Sequence, residues 1–104
     1  QSKPRCSEMK KRKIEYTVRF KRDLKKFRHM PEKQAKITKA IQILAEGLPI
    51  PLSMRPHKLI GDYAGYMELH IEGDLLLIWI ELNANNEEII RLSRIGSHSE
   101  LFGT

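Results

Sequence analysis

The chain changes its hydrophobic period several times, and each change marks an element. Residues 13–19 alternate, with Ile14, Tyr16 and Val18 on one face and Glu15, Thr17 and Arg19 on the other, which predicts a half-buried strand. From Phe20 the spacing becomes helical: Phe20, Leu24 and Phe27 line one side, and Lys21, Arg22, Lys25, Lys26 and Arg28 cover the other. Pro31 breaks that helix. Helical spacing resumes over 32–46, with Ile37, Ala40, Ile41, Leu44 and Leu48 facing inward and Gly47 as the C-terminal cap. The pair reads as a helical hairpin. Leu48-Pro49-Ile50-Pro51 then opens a loop carrying Arg55, Pro56, His57, Lys58, Gly61 and Asp62.

Three strands follow. Residues 65–71 alternate, Met67, Leu69 and Ile71 against Tyr66, Glu68 and His70. Gly73-Asp74 turns into 75–82, whose continuous apolar character, Trp79 included, marks a central strand. Asn83-Ala84-Asn85-Asn86 is a turn by composition, and 87–94 is the last strand. The predicted fold is α+β, in the order β-α-α-β-β-β: a two-helix hairpin on one face of a small, mostly antiparallel four-stranded sheet. The other face is left partly open, with Tyr66, Glu68 and His70 on it. Arg94 poses a conflict, because it shares the parity of the core-facing Ile90 and Leu92. Either a bulge flips it, or it projects beyond the helices at the strand end.

At 104 residues the chain has room for one core. Its longest apolar run, Leu75 to Ile80, is too short to span a membrane. A lone cysteine, Cys6, can form no intrachain disulfide, so a cytosolic protein is expected. Met9 would make a natural start, and residues 1–12 are read as a basic extension preceding a domain at 13–104. Charge is lopsided: residues 1–39 carry a net +11 and residues 40–104 a net −5. Such a basic half attracts a polyanion, or an acidic protein.

The chemistry-bearing side chains cluster late. Arg94-Ile95-Gly96-Ser97-His98-Ser99-Glu100-Leu101-Phe102 places a cation, a titratable imidazole and an aromatic within nine positions. His98 lies in a polar segment, off any apolar stripe. His70 sits mid-strand on the open face, Asp74 at a hairpin turn, and His57 in the Pro-flanked loop; His29, ending the basic helix, is assigned a structural role. No histidine pair has helical metal-ligand spacing and no cysteine joins them, so no metal is expected; convergence from separate strands is the one route left open. Together these groups suit RNA cleavage by its own 2′-hydroxyl. Histidines and an aspartate move protons near neutrality, an arginine holds the phosphate, and no cofactor is required.

The residues that carry this chemistry resemble the bacterial RelE superfamily of toxin–antitoxin ribonucleases, most closely its YafQ branch. The likeness covers roughly 13–103 and rests on Arg55-Pro56-His57-Lys58-Leu59, Gly61-Asp62-Tyr63-Ala64-Gly65-Tyr66, the stretch Glu68 to Ile78, and Arg94 to Gly103, in order. It implies a cytosolic mRNA interferase acting in the ribosomal A site. It also implies an acidic cognate antitoxin, expected to form a toxin–antitoxin heterotetramer. Functional positions then fall on His57, His70, Asp74, Arg94, His98 and Phe102. His98 is expected to be the general acid, and Asp74 with His70 or His57 the base or orienting group. Arg94 would hold the scissile phosphate, and Phe102 would stack on a base. Tyr66, Lys58 and Arg55 would contact substrate, and the basic first helix ribosomal RNA. Two departures stand out: Pro56 where several relatives have Asp, and Leu75 where some have Trp. Two other functions fit the same fold and charge, a gyrase-inhibiting toxin and a non-catalytic nucleic-acid-binding module.

Overall fold

The computed structural model describes residues 12–102. Its elements are β1 (Lys13–Tyr16), α1 (Val18–Leu24), α2 (Pro31–Glu46), β2 (His57–Lys58), β3 (Met67–Glu72), β4 (Leu75–Ala84), β5 (Glu87–Gly96) and α3 (His98–Phe102), with short 3-10 turns at Lys25–Phe27, Leu52–Met54 and Gly61–Tyr63. The sheet order is β1-β5-β4-β3-β2. β1 runs parallel to β5, and the other pairs are antiparallel. The α+β class stands, but the sheet has five strands rather than four. The added strand is the two-residue pairing of His57 with Glu68 and Lys58 with Met67. It is too short to leave a period in the sequence.

Helix α1 starts earlier than the alternation implied, because Thr17 caps it. The Thr17 Oγ1 accepts the Phe20 N–H at 3.1 Å and donates to the Leu92 carbonyl at 2.8 Å, so one hydroxyl ends β1, starts the helix and ties both to β5. Val18 is therefore a largely exposed helical residue, not an inward strand position. Pro31 opens α2 at a position that needs no N–H donor. Gly47 closes it at φ +67°, where a side chain would be strained, and the Leu48 N–H then reaches the Ile43 carbonyl. Beyond that cap Leu48 points outward, and Ile43 is buried in its stead. Arg12 belongs to the folded unit: its N–H donates to the Ala45 carbonyl, and its guanidinium lies 3.1 Å from Glu88. Cys6 and Met9 lie outside the described residues.

The main core lies between the helices and the sheet. Phe20, Phe27, Ile37, Ala40 and Leu44 meet Leu69, Ile71, Leu77, Trp79, Ile90, Leu92 and Ile95. Each such aliphatic side chain contributes roughly 1.5–3 kcal/mol on burial. Trp79 is wholly buried, and its indole N–H donates to Glu81. Alternate residues of β4 face the other way. Leu76 and Ile78 form a second cluster with Leu101 from α3, overlaid by Leu59, Tyr63, Tyr66 and Phe102. The face opposite the helical hairpin is thus partly roofed by aromatics, which explains why β4 is apolar on both sides. The last two turns are tight. Asn85 and Asn86, at φ 54° and 64°, make a two-residue hairpin, so β4 continues through Ala84.

Candidate active site

Two bulges shape the face opposite the helices. Ile78 pairs with Arg94 but Trp79 with Leu92, so Ser93 is the extra residue in β5. The bulge flips the strand's parity and resolves the conflict over Arg94, which now shares the Ile78 face while Ile95 returns to the core. A second irregularity falls between His70 and Glu72, just before the Gly73-Asp74 turn. Cross-strand partners then read, in one row, His57, Glu68, Ile78 and Arg94; the next row is His70, Leu76 and Gly96. Adjacent strands are about 4.8 Å apart, so Arg94 stands roughly 10 Å from Glu68 across Ile78.

Arg94 is not a bare cation. Its Nε lies 2.8 Å from Asp23 Oδ2, and a second guanidinium N–H donates to Oδ1 at 3.3 Å. Both side chains are nearly buried. The same Asp23 oxygen accepts the Ile95 N–H at 3.0 Å, because β1 has ended at Tyr16 and α1 takes over the edge of β5. The hydrogen bond to Asp23 raises the Arg94 pKa above its ordinary value, against a smaller opposing effect of burial.

On β2 and β3 a carboxylate joins two imidazoles. Glu68 is only 4% exposed; its Oε1 is 2.9 Å from His57 Nε2 and 3.9 Å from His70 Nε2, and its Oε2 is buried without a hydrogen-bond partner. His57 Nδ1 donates to the Arg55 carbonyl at 2.9 Å. Both ring nitrogens of His57 therefore face oxygens, and one proton must lie between His57 and Glu68, as an ion pair or as a neutral pair. The Arg55 guanidinium approaches His70 Nδ1 at 3.4 Å. Arginine can only donate, so Nδ1 is the acceptor and the neutral ring carries its hydrogen on Nε2, toward Glu68. Ligand atoms of His57, Glu68 and His70 all lie within 4.8 Å of one another, so the trio could hold a metal ion by convergence from separate strands.

The third group is α3. His98 is its first residue, and the His98 N–H donates to Asp74 Oδ1 at 3.0 Å. The His98 and Phe102 rings are 4.8 Å apart, and Phe102 meets Tyr63 edge-on at 5.5 Å. Tyr63 in turn meets Tyr66 at 5.9 Å. Of the residues expected from sequence, His57 thus joins His70, Asp74 joins His98, and Phe102 joins His98. Arg55 is exposed beside the histidine pair, whereas Lys58, paired with Met67, falls by alternation on the helix-side face, away from the histidines and the substrate contact expected of it. Tyr66 packs in the aromatic roof. Four participants were missed. Glu68 shares the face of His70 by simple alternation. Asp23, a lone acid in a basic helix, shares the spacing of Phe20 and Phe27. Ser97 and Glu100 carry a Ser-x-x-Glu helix-start signature.

Comparison with known proteins identifies the family. A family described as the bacterial toxin of type II toxin–antitoxin systems, YafQ, matches residues 12–103. The mRNA interferase toxin YafQ of Escherichia coli K12 is 30% identical over 96 residues, spanning 91% of this chain and all of the relative. The crystal structure of the E. coli DinJ–YafQ complex superposes with a TM-score of 0.74 at 30% identity, covering 88% of this chain and 99% of that one. A metal-bound toxin from Helicobacter pylori gives 0.74 at 32% identity, covering 86% and 98%. On the extent of these matches, the chain belongs to the YafQ family of bacterial toxins of type II toxin–antitoxin systems.

Proposed function

We propose that this YafQ-family toxin, an mRNA interferase by kinship, cuts messenger RNA in the ribosomal A site of the cytoplasm and is neutralised there by an acidic cognate antitoxin. The observation that carries the reading is the gathering of His57, Glu68 and His70 on the same sheet face to which the Ser93 bulge turns Arg94, with α3 bringing His98 and Phe102 beside Asp74.

In the reaction, the 2′-hydroxyl attacks the adjacent phosphorus and the 5′-oxygen leaves. His98, exposed at the start of α3, protonates the leaving oxygen. Phe102 stacks on a base, and the exposed Arg55 swings from His70 Nδ1 to the phosphate. That movement bares the His70 lone pair to accept the 2′-hydroxyl proton. Glu68 then stabilises the imidazolium through Nε2–H, as a carboxylate does for a catalytic histidine elsewhere. His57, with both nitrogens engaged, holds Glu68 rather than taking the proton. Asp74 orients His98 through its backbone. Arg94 contributes positive charge at the phosphate while Asp23 fixes its position. The gyrase-inhibiting and purely binding alternatives leave these converging groups without a task. Mapping cleavage ends on translated mRNA tests the reading: wild type should cut within the frame being read, and His98→Ala should cut about a hundredfold or more slowly. Undiminished cutting by His98→Ala would remove His98 from the mechanism.

A metal reading is favoured by one specific feature. Two imidazoles and a carboxylate with an unpartnered oxygen suit zinc or copper, and a similar H. pylori toxin is metal-bound. Bound by His57, Glu68 and His70, such an ion would replace the protons through which both rings face Glu68. Titrating zinc while following the imidazole resonances of His57 and His70 reports binding directly; unmoved resonances would dismiss the site.

A further inference from the structure

The helix that carries His98 is only five residues long, and a helix that short does not hold itself in place. Its order comes from the packing of Leu101 against Leu76 and Ile78 and from its ends. Ser97 Oγ accepts the Glu100 N–H at 3.2 Å, while Glu100 Oε1 accepts the Ser97 N–H at 2.9 Å, a reciprocal capping box. The other oxygen of Glu100 pairs with Lys26, 3.2 Å away on the turn that follows α1. A single carboxylate therefore closes the first turn of α3 and moors it to the helical hairpin. Gly96 makes room for it: a Cβ at that position would stand 2.7 Å from Glu100 Oε1. The hydrogen bond from the Ser97 backbone, followed by Lys26, holds the Glu100 carboxyl below its ordinary pKa, as expected of an anion held by two donors.

We propose that Glu100 is a positioning residue for the cleavage reaction: with Ser97 and Lys26 it fixes the direction in which α3 presents His98 and Phe102, while Gly96, at φ +157°, keeps a side chain out of the space its carboxylate fills. The inference rests on His98 acting in the reaction. It asks more of Glu100 than surface solubility, although the residue is exposed and touches no substrate. A displacement of about 1 Å at a catalytic group costs on the order of a hundredfold in rate, so losing the cap should be visible in the chemical step.

The test compares Glu100→Ala, Glu100→Gln and Gly96→Ala in single-turnover cleavage on programmed ribosomes, alongside amide exchange of Leu101, whose N–H donates to the Ser97 carbonyl. Glutamine keeps an acceptor for the Ser97 N–H; alanine does not. Glu100→Ala should slow the saturated rate roughly tenfold or more, leave half-saturation by ribosomes unchanged, and expose the Leu101 amide. Glu100→Gln should restore most of the rate. Gly96→Ala, which meets both the carboxylate and the strain of φ +157°, should be at least as slow as Glu100→Ala. A Glu100→Ala protein with wild-type rate and wild-type protection, or a glutamine variant no better than alanine, would overturn the proposal. Wild type that cuts no translated mRNA would instead overturn the ribonuclease reading, and the Leu101 amide would still decide whether Glu100 orders α3.

Discussion

The guanidinium of Arg94 and the carboxylate of Asp23 form a two-point contact, 2.8 and 3.3 Å, across the edge where α1 replaces β1 beside β5. Arg94 is thereby both a part of the fold and the candidate phosphate ligand. Removing either partner strands a nearly buried charge, at a cost of about 3–5 kcal/mol. Asp23→Ala also orphans the Ile95 N–H. Urea denaturation of Asp23→Ala, Arg94→Ala and the double variant should give strongly non-additive losses, the second substitution costing little once the first is made. Additive losses would show that the pair is not coupled. The activity of Arg94 variants is therefore interpretable only beside their stability.

Glu68 predicts the opposite balance. Its Oε2 is buried with no partner, and an unsatisfied buried acceptor costs about 1–3 kcal/mol. His57, which Glu68 faces, is exposed and would be rehydrated if the carboxylate were lost. Glu68→Met, similar in volume and without charge, should leave the midpoint of urea denaturation unchanged or higher while cleavage falls at least about tenfold. A variant that is both less stable and fully active would show that the carboxylate serves the fold alone. Paying stability for a poised polar group is common at functional sites.

The sequence made the scaffold legible wherever one period ran long enough. Leu69 and Ile71 on one side of β3, Ile37, Ala40 and Leu44 along α2, and the two-sided burial of β4 all follow from spacing. What escaped was of three kinds. A bulge inserts a residue without any compositional mark, so parity alone could not say that Ser93 turns Arg94 outward. A two-residue strand has no period, so His57 read as loop. Buried carboxylates run against the rule that charge lies outside, so Asp23 and Glu68 were hidden by their own chemistry. The histidines stand out in the sequence because their chemistry is specific; the acids that hold the histidines and Arg94 are visible only once the sheet is assembled.

Acid should release a different contact. Glu72, on the last position of β3, bonds Lys33 and Lys36 of α2, and these hydrogen bonds lower its pKa from 4.5 to about 2. A depressed carboxyl stabilises the fold above its unfolded value, so this contribution is complete above about pH 4.5 and disappears as pH falls toward 2. Thermal melts of wild type and Glu72→Gln should differ at pH 6 and converge near pH 2. Because the trio is partly solvent-exposed, the difference should also shrink in high salt. A gap that persists at pH 2 would mean that Glu72 acts through packing and not through charge.

His57 and His70 are alternative candidates for the base in sequence, but their hydrogen bonds separate them. His57 engages the Arg55 carbonyl and Glu68, while His70 offers Nδ1 to an exposed arginine and Nε2–H toward the same carboxylate at 3.9 Å. Only His70 can gain a free lone pair by movement of a surface side chain alone. His70→Ala should therefore slow single-turnover cleavage about a hundredfold or more, and His57→Ala by roughly tenfold or less. The nitrogen resonances of the two rings supply an independent check: neutral His70 should show the Nε2–H tautomer, and replacing Arg55 with alanine should disturb His70 Nδ1. The reverse ranking, with His57→Ala the more damaging, would move the base to the His57–Glu68 pair and leave His70 as its support.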